Sequence, residues 1–148
     1  MSESTPANVA GTRSKPLLEV RDLAVSFANS SDPSGPRIQA VAGVSMTIHP
    51  RQTLAVVGES GCGKSVTAMS SMQLVPRPPG RFDKGSIRFQ GEDVLQYDER
   101  KMLGLRGKDI AMIFQEPMTS LNPAYTIGSQ MTEVMRRHKK VSQRVATD

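Results

Sequence analysis

The segment from Gly58 to Ser65 reads Gly-Glu-Ser-Gly-Cys-Gly-Lys-Ser, which fits the phosphate-binding pattern G-x-x-x-x-G-K-[ST]. The apolar run that precedes it, Thr53 to Val57, has the composition of a buried parallel strand. The residues from Ser65 to Val75 are predicted to form a helix. This order of strand, loop and helix predicts an α/β fold in which backbone amides and a helix N-terminus surround an anion.

A triphosphate is the anion that fits such a loop, so ATP with Mg²⁺ is the expected ligand. The Lys64 ammonium is predicted to reach the β- and γ-phosphates, and the Ser65 hydroxyl to coordinate Mg²⁺. The pattern alone leaves kinases, GTPases, helicases and transport ATPases open. The predicted nucleotide contacts in the loop are Gly58, Glu59, Ser60, Gly61, Cys62, Gly63, Lys64 and Ser65.

Cys62 is the single cysteine of the chain, which excludes an internal disulfide and a cysteine-rich metal site. This is consistent with a reducing compartment. Two interpretations of its place in the loop are open. Any small side chain could serve there, or the thiol could make nucleotide binding sensitive to oxidation or alkylation.

Length and hydropathy limit the size of the fold and its compartment. With 148 residues, of which 37% are hydrophobic, the chain is expected to form one domain or part of one. No window approaches the roughly 20 apolar residues of a membrane span, and residues 1–16 lack the apolar centre of a secretory signal. We therefore expect a cytosolic location.

The net charge of +5 is concentrated near the C-terminus, in a stretch whose apolar residues recur at helical spacing. A solvated helix face explains this cluster better than nucleic-acid binding, because aromatic residues for base stacking do not alternate with the basic ones. No nucleic-acid partner is predicted.

Composition divides the chain at Pro16. Residues 1–16 are predicted to be a disordered tail, because they are rich in Ser, Thr, Pro and Ala, and residues 17–148 to be the folded part. Antiparallel strands are expected before the loop. The other predicted elements are a strand formed by Leu18 to Arg21 and then Leu23 to Phe27, strands at Ile38 to Ile48, Gly85 to Phe89 and Asp109 to Phe114, a turn at Gly91, and a helix at Asp98 to Leu105.

The segment from Phe114 to Pro123 reads Phe-Gln-Glu-Pro-Met-Thr-Ser-Leu-Asn-Pro and resembles the Q-loop of ABC transporter ATPases. Together with the Gly-Glu-Ser-Gly-Cys-Gly-Lys-Ser loop, it is most similar to the subfamily that imports dipeptides, oligopeptides, glutathione and nickel. The resemblance runs from about Leu17 to the end. It implies a P-loop NTPase fold with an ABC-type ATPase core and an N-terminal antiparallel β-subdomain.

The resemblance implies further roles for residues of this chain. Gln115 would contact Mg²⁺ and the attacking water, and its amide oxygen is a suitable hard ligand. The segment from Glu116 to Pro123 would contact the membrane permease subunits. Phe27 would stack on adenine, with simple packing in the core as the alternative.

Some features of the family are missing from these residues. Arg51-Gln52 stands where the family usually has Gly-Glu, and we find no signature segment, Walker B aspartate, catalytic glutamate or switch histidine. The chain is therefore interpreted as an N-terminal part of the ATPase, truncated before the signature and Walker B segments. We expect it to bind ATP without hydrolysing it.

The implied partners are the permease subunits, a second ATPase subunit or half and, indirectly, an extracytoplasmic solute-binding protein. The implied location is peripheral, on the cytoplasmic face of the plasma (inner) membrane. Three functions remain open: the ATPase of an importer for peptide-like solutes such as glutathione, a stand-alone regulatory short form without hydrolysis, and an ABC ATPase outside transport. The transported solute and the oligomeric state cannot be predicted from these residues.

Overall fold

A four-stranded antiparallel sheet dominates the N-terminal part of the computed structural model, which describes residues 14–32, 34–115, 121–139 and 141–147. The chain divides into two compact units, one ending at Gln96 and the other beginning at Tyr97, and each is described by itself. Most of the predicted N-terminal tail, residues 1–13, lies outside the described residues.

Among its described residues, the first unit contains the sheet, one α-helix and a short 3₁₀ turn. The strands follow the order β2-β1-β3-β4, and every neighbouring pair is antiparallel. This confirms the prediction that antiparallel strands precede the loop. The elements are β1 (Leu18–Phe27), β2 (Ile38–Ile48), α1 (Lys64–Ser71), β3 (Gly80–Phe89), β4 (Glu92–Asp93) and the 3₁₀ turn Val94–Gln96.

β1 is one of the two inner strands, and its residues Leu23 and Val25 are completely buried. It is interrupted at Asp22, whose backbone has φ of +46° and whose N–H donates to Ser45 Oγ at 2.9 Å. Gly85 of β3 lies against this bulge with φ of +97°. A Cβ there would lie 2.6 Å from the Asp22 carbonyl oxygen, so the bulge requires a glycine opposite it.

The turn between β3 and β4 was predicted at Gly91 and is confirmed. Gln90 and Gly91 both have positive φ, +52° and +94°, and form a two-residue hairpin loop between Phe89 and Glu92. Positive φ at both central positions is typical of a type I′ turn, whose twist matches that of the strands.

Helix α1 ends earlier than predicted, at Ser71 instead of Val75. Gln73 adopts a left-handed conformation with φ of +50°, and its N–H donates to Ser70 O. The Leu74 N–H donates to Met69 O at 2.9 Å, which completes a Schellman motif. Hydrogen bonding of the last carbonyls in this way stops the helix, although apolar residues continue beyond it.

Two predicted strands are wrong. Residues 53–57 and 109–114 form no strand, and Val57 and Ile113 are 88% and 98% exposed. A parallel strand is stable only when neighbouring strands satisfy its backbone groups, and within the described part of each unit no strand pairs with either run.

The second unit consists of three helices among its described residues: α2 (Glu99–Leu105), α3 (Ile127–Lys139) and α4 (Gln143–Thr147). The carboxylate of Asp98 caps α2 by accepting from the Lys101 N–H at 2.8 Å, which confirms the predicted helix there. Helices α3 and α4 pack together, and the basic side chains near the end of α3 are exposed. No helix in the described ranges is long and apolar enough to cross a membrane.

Candidate nucleotide-binding site

The predicted phosphate loop leads directly into α1, as the sequence indicated. Gly63 occupies the N-cap position with φ of +89°, and no side chain caps the helix. The first N–H groups of an α-helix have no partner within the helix, and they carry its positive dipole end. The start of α1 therefore offers backbone donors to an anion.

Close packing against β2 fixes the position of Gly63. Val25 pairs with Val41 and Ser26 with Gln39, so Ala40 is an extra residue in β2 and forms a bulge. A Cβ on Gly63 would lie 2.4 Å from the Ala40 carbonyl oxygen. Only a residue without a side chain fits between this bulge and the start of α1.

The sequence did not predict the contribution of Ala40. The bulge leaves no mark in the sequence of the strand, and the close approach to Gly63 joins positions far apart in the chain. The only signal in the sequence was the glycine itself.

The loop is also tight at its other end. A Cβ on Gly58 would lie 2.7 Å from Cys62 Sγ, so these two residues face each other across the loop. Gly61 has φ of +81°, which favours glycine, but a Cβ there would meet no described atom within 4 Å. The glycines thus serve two purposes, since Gly63 and Gly58 provide space and Gly61 provides only a backbone conformation.

The Lys64 side chain folds back over the loop. Its Nζ donates to the carbonyl oxygens of Gly58 at 2.8 Å and Glu59 at 2.7 Å, and lies 3.4 Å from Cys62 Sγ. An ammonium group has three donors, so this geometry places all of them within the loop. The positive charge of Lys64 therefore lies within the loop.

The remaining loop positions are open to solvent. Glu59, Ser60 and Cys62 are exposed, and so is Ser65 in the first turn of α1. The Ser65 hydroxyl is a hard oxygen donor of the kind that Mg²⁺ accepts beside phosphate oxygens and water. In the described ranges no group of three or more His, Cys, Asp or Glu side chains could hold a metal by itself.

Phe27, the predicted adenine contact, lies at the end of β1 and is half-buried. It pairs with Ile38 of β2 on one side and Gly80 of β3 on the other. A Cβ on Gly80 would lie 3.2 Å from Phe27 Cε1, so the edge of the ring rests where Gly80 has no side chain.

Ile38 lies two residues from the bulged Ala40 along β2, a step of about 6.6 Å. Phe27 is paired with Ile38 on the neighbouring strand, and Ile38 is two residues from Ala40, whose carbonyl oxygen lies against Gly63. The base and phosphate contacts predicted from the sequence belong to the same end of β2. The role of Phe27 stays a prediction.

Gln115 belongs to the second unit, where it is exposed and lies in no helix or strand. Most of the segment predicted to follow it as the permease contact, residues 116–120, lies outside the described residues, whereas Leu121, Asn122 and Pro123 are described. The roles of Gln115 and of this segment therefore stay predictions.

One carboxyl group near the end of β1 has a shifted pKa. A hydrogen bond from the Ser26 side chain lowers the pKa of Asp83 below its ordinary value, and a hydrogen bond and the charge of Arg81 lower it further. Arg81 Nε donates to Asp83 at 2.7 Å, and both side chains are on the solvent side of β3. The Asp83 carboxylate forms an ion pair with Arg81 on the surface of the sheet. Asp83 is not one of the predicted nucleotide contacts.

Comparison with known proteins identifies the class to which this fold and loop belong. The profile of the ABC transporter family matches residues 41–148. Because this match covers most of the chain, the chain belongs to the ABC transporter family, and the predicted P-loop ATPase fold is confirmed.

Curated relatives carry more specific names. The chain is 50% identical over 130 residues to the oligopeptide transport ATP-binding protein OppD of Bacillus subtilis, covering 88% of this chain and 35% of OppD. It is 46% identical over 130 residues to the dipeptide transport ATP-binding protein DppD of the same organism, covering 88% of this chain and 38% of DppD. A peptidoglycan transport ATP-binding protein, YejF of Agrobacterium fabrum, is 47% identical over 131 residues, which are 88% of this chain and 23% of YejF. The chain thus spans about a third of the length of the first two relatives.

Proposed function

We propose that this chain is the ATP-binding part of an ABC importer subunit, in which ATP binding and hydrolysis drive uptake of peptides or peptide-like solutes. The observation that carries the proposal is the phosphate loop, with Gly63 packed against the β2 bulge and Lys64 folded over the loop. The names of OppD and DppD, both peptide transport proteins, support the solute class.

The loop residues are proposed to bind the triphosphate by exchanging one set of hydrogen bonds for another. Lys64 Nζ now donates to two backbone carbonyls, and it would release them to reach phosphate oxygens a short distance away. Hydrogen bonds between two charged groups are stronger than those from an ammonium to a neutral carbonyl, so the exchange favours binding. The free N–H groups of the first turn of α1 would complete the anion site.

Mg²⁺, when bound, would neutralise phosphate charge and polarise the bond to the γ-phosphate. Ser65 is the residue of the first unit proposed to hold it, and Gln115 is proposed to supply a further oxygen and to orient the attacking water. Phe27 is proposed to stack on adenine, which would contribute about 1–3 kcal/mol.

Residues 1–148 contain no segment resembling the ABC signature or the Walker B motif with its catalytic glutamate. Hydrolysis in this class needs a carboxylate to polarise water and donors that close over the γ-phosphate. We therefore propose that these residues alone bind ATP without turnover, and that turnover requires the remaining parts of the ATPase and a second subunit or half.

Permease subunits are the proposed membrane partners, contacted through Glu116 to Pro123, and a solute-binding protein would act through them. The proposed location is the cytoplasmic face of the membrane, held there by these partners.

The test is peptide uptake by proteoliposomes that contain the permease and the ATPase subunit carrying this sequence, with the solute-binding protein supplied. We expect uptake to require ATP and to be lost in Lys64→Ala, because the segment from Gly58 to Ser65 then has no positively charged side chain to bind the γ-phosphate. Lys108→Ala, which removes an exposed lysine outside the loop, is the matched control and should transport normally. Normal uptake by Lys64→Ala, or no ATP-dependent uptake by the unaltered protein, would contradict the proposal. Inhibition of an intact transporter by added residues 1–148 would instead support a regulatory short form.

A further inference from the structure

The Arg37 side chain connects three strands at the end of the sheet where Phe27 lies. Its Nε donates to Ser26 Oγ at 2.8 Å, and its Nη2 donates to the Ser26 carbonyl at 2.9 Å and to the Pro79 carbonyl at 2.8 Å. A planar guanidinium presents these donors in a fixed fork, whereas a lysine ammonium is a single point charge. We call this set of hydrogen bonds the Arg37 bridge.

The Arg37 bridge lies next to both strand partners of Phe27. Phe27 pairs with Ile38 of β2, which Arg37 immediately precedes in the chain. On its other side Phe27 pairs with Gly80 of β3, which Pro79 immediately precedes. The bridge therefore crosses the sheet one residue beyond Phe27 and holds the two strands on either side of it together.

The Pro79 carbonyl is held by two donors. The Ala28 N–H donates to it at 3.1 Å in addition to Arg37 Nη2, so both lone pairs of the oxygen are used. The next residue is Gly80, where the edge of the Phe27 ring rests because there is no side chain. Fixing the Pro79 carbonyl therefore fixes the backbone against which the Phe27 ring packs.

Ser26 anchors the bridge on β1. Ser26 is buried, with 2% of its surface exposed, and its Oγ accepts from Arg37. A guanidinium can only donate, so the hydroxyl proton of Ser26 remains available for its hydrogen bond to the Asp83 carboxylate. Asp83 also accepts from Arg81 Nε at 2.7 Å. A chain of polar side chains thus orients the Arg37 guanidinium from β1 and β3.

We propose that Arg37 is a positioning residue for the adenine base: through the Arg37 bridge it holds the Phe27 ring where the base stacks. This inference rests on the proposed function, because it needs the stacking of Phe27 on adenine. A side chain that is already held in place loses little conformational freedom when its ligand binds, and this increases affinity. Since Nε and Nη2 donate to protein oxygens, Arg37 acts through the ring and not on the phosphates.

The test compares Arg37→Met with Arg88→Met in the complete ATPase subunit that carries this sequence, by calorimetric titration with MgATP and with inorganic triphosphate. Arg88 is an exposed arginine of β3, so its replacement removes the same charge and leaves the bridge intact. We expect Arg37→Met to bind ATP about fivefold more weakly than the control, within the roughly tenfold loss expected for removal of the ring. Triphosphate affinity should be equal in the two variants, because triphosphate has no base.

A double-mutant cycle separates positioning of the ring from other effects of Arg37. In a Phe27→Ala background, Arg37→Met should change ATP affinity by less than about twofold, because no ring is left to position. Arg37→Lys keeps the charge but lacks the planar fork, so it should bind ATP as weakly as Arg37→Met.

Control-level ATP affinity in Arg37→Met, or full ATP affinity in Arg37→Lys, would overturn the proposal. Equal losses for ATP and triphosphate would also overturn it, because Arg37 would then act through its charge or through folding. An undiminished effect of Arg37→Met in the Phe27→Ala background would do the same. Failure of the stacking is distinct, since Phe27→Ala alone would then bind ATP normally and the role of Arg37 would fall with it. Failure of the proposed function would appear as no ATP binding by the unaltered subunit.

Discussion

Replacing Gly63 by alanine should destabilise the protein more than the same replacement at Gly61, although both residues lie in the phosphate loop. Both have positive φ, +89° and +81°, so alanine at either position costs about 1–2 kcal/mol of backbone strain. At Gly61 the new Cβ meets no described atom within 4 Å. At Gly63 it would lie 2.4 Å from the Ala40 carbonyl oxygen, a distance that forces the loop or the strand to move.

Overpacking of this kind typically costs about 1–3 kcal/mol in addition to the strain. The expected loss in the free energy of unfolding is therefore about 2–5 kcal/mol for Gly63→Ala and about 1–2 kcal/mol for Gly61→Ala. Urea unfolding without nucleotide measures both values, and the absence of ligand removes any clash with phosphate from the comparison. Equal losses in the two variants would refute the packing of Gly63 against the β2 bulge.

Three further predictions concern single side chains. Phe27→Ala should weaken ATP binding about tenfold in calorimetric titration and leave inorganic triphosphate binding unchanged, because only the base stacks; equal ATP affinity would remove that role. A bulky maleimide on Cys62 should block nucleotide binding, and bound ATP should protect the thiol, because Sγ lies 3.4 Å from Lys64 Nζ; unprotected labelling would favour a purely steric role. The lowered pKa of Asp83 stabilises the folded protein above the unfolded-state pKa of about 3.8, and this stability is lost as the pH falls through the lower folded-state value. An NMR titration of Ser26→Ala should show the Asp83 pKa rising toward normal, and an unchanged pKa would contradict the hydrogen bond as its main cause.

The sequence predicted those parts of the fold that depend on local chemistry. The strand β2, the turn at Gly91 and the helix α2 each follow from the preferences of neighbouring residues, and the structure confirms them. The phosphate loop belongs to the same group, because its glycines and lysine are consecutive in the chain.

Features that depend on distant residues were not predicted correctly. Residues 53–57 and 109–114 have strand composition, but a strand also needs partners, and composition carries no information about them. The bulge at Ala40 and the hydrogen bonds between the Gln130 side chain and the Asn122 backbone were missed for the same reason, because each contact joins backbone to a residue several or many positions away. The end of α1 was predicted too late because a glutamine, Gln73, takes the left-handed position that glycine usually marks.

Calorimetric titration of residues 1–148 with MgATP measures whether these residues form an ATP site. Lys64→Ala serves as the comparison, and phosphate release is assayed in parallel. We expect saturable binding to the unaltered chain, loss of that binding in Lys64→Ala, and no phosphate release from either protein. Absence of binding, or equal binding by both proteins, would contradict the assignment of the loop, and phosphate release would contradict binding without turnover.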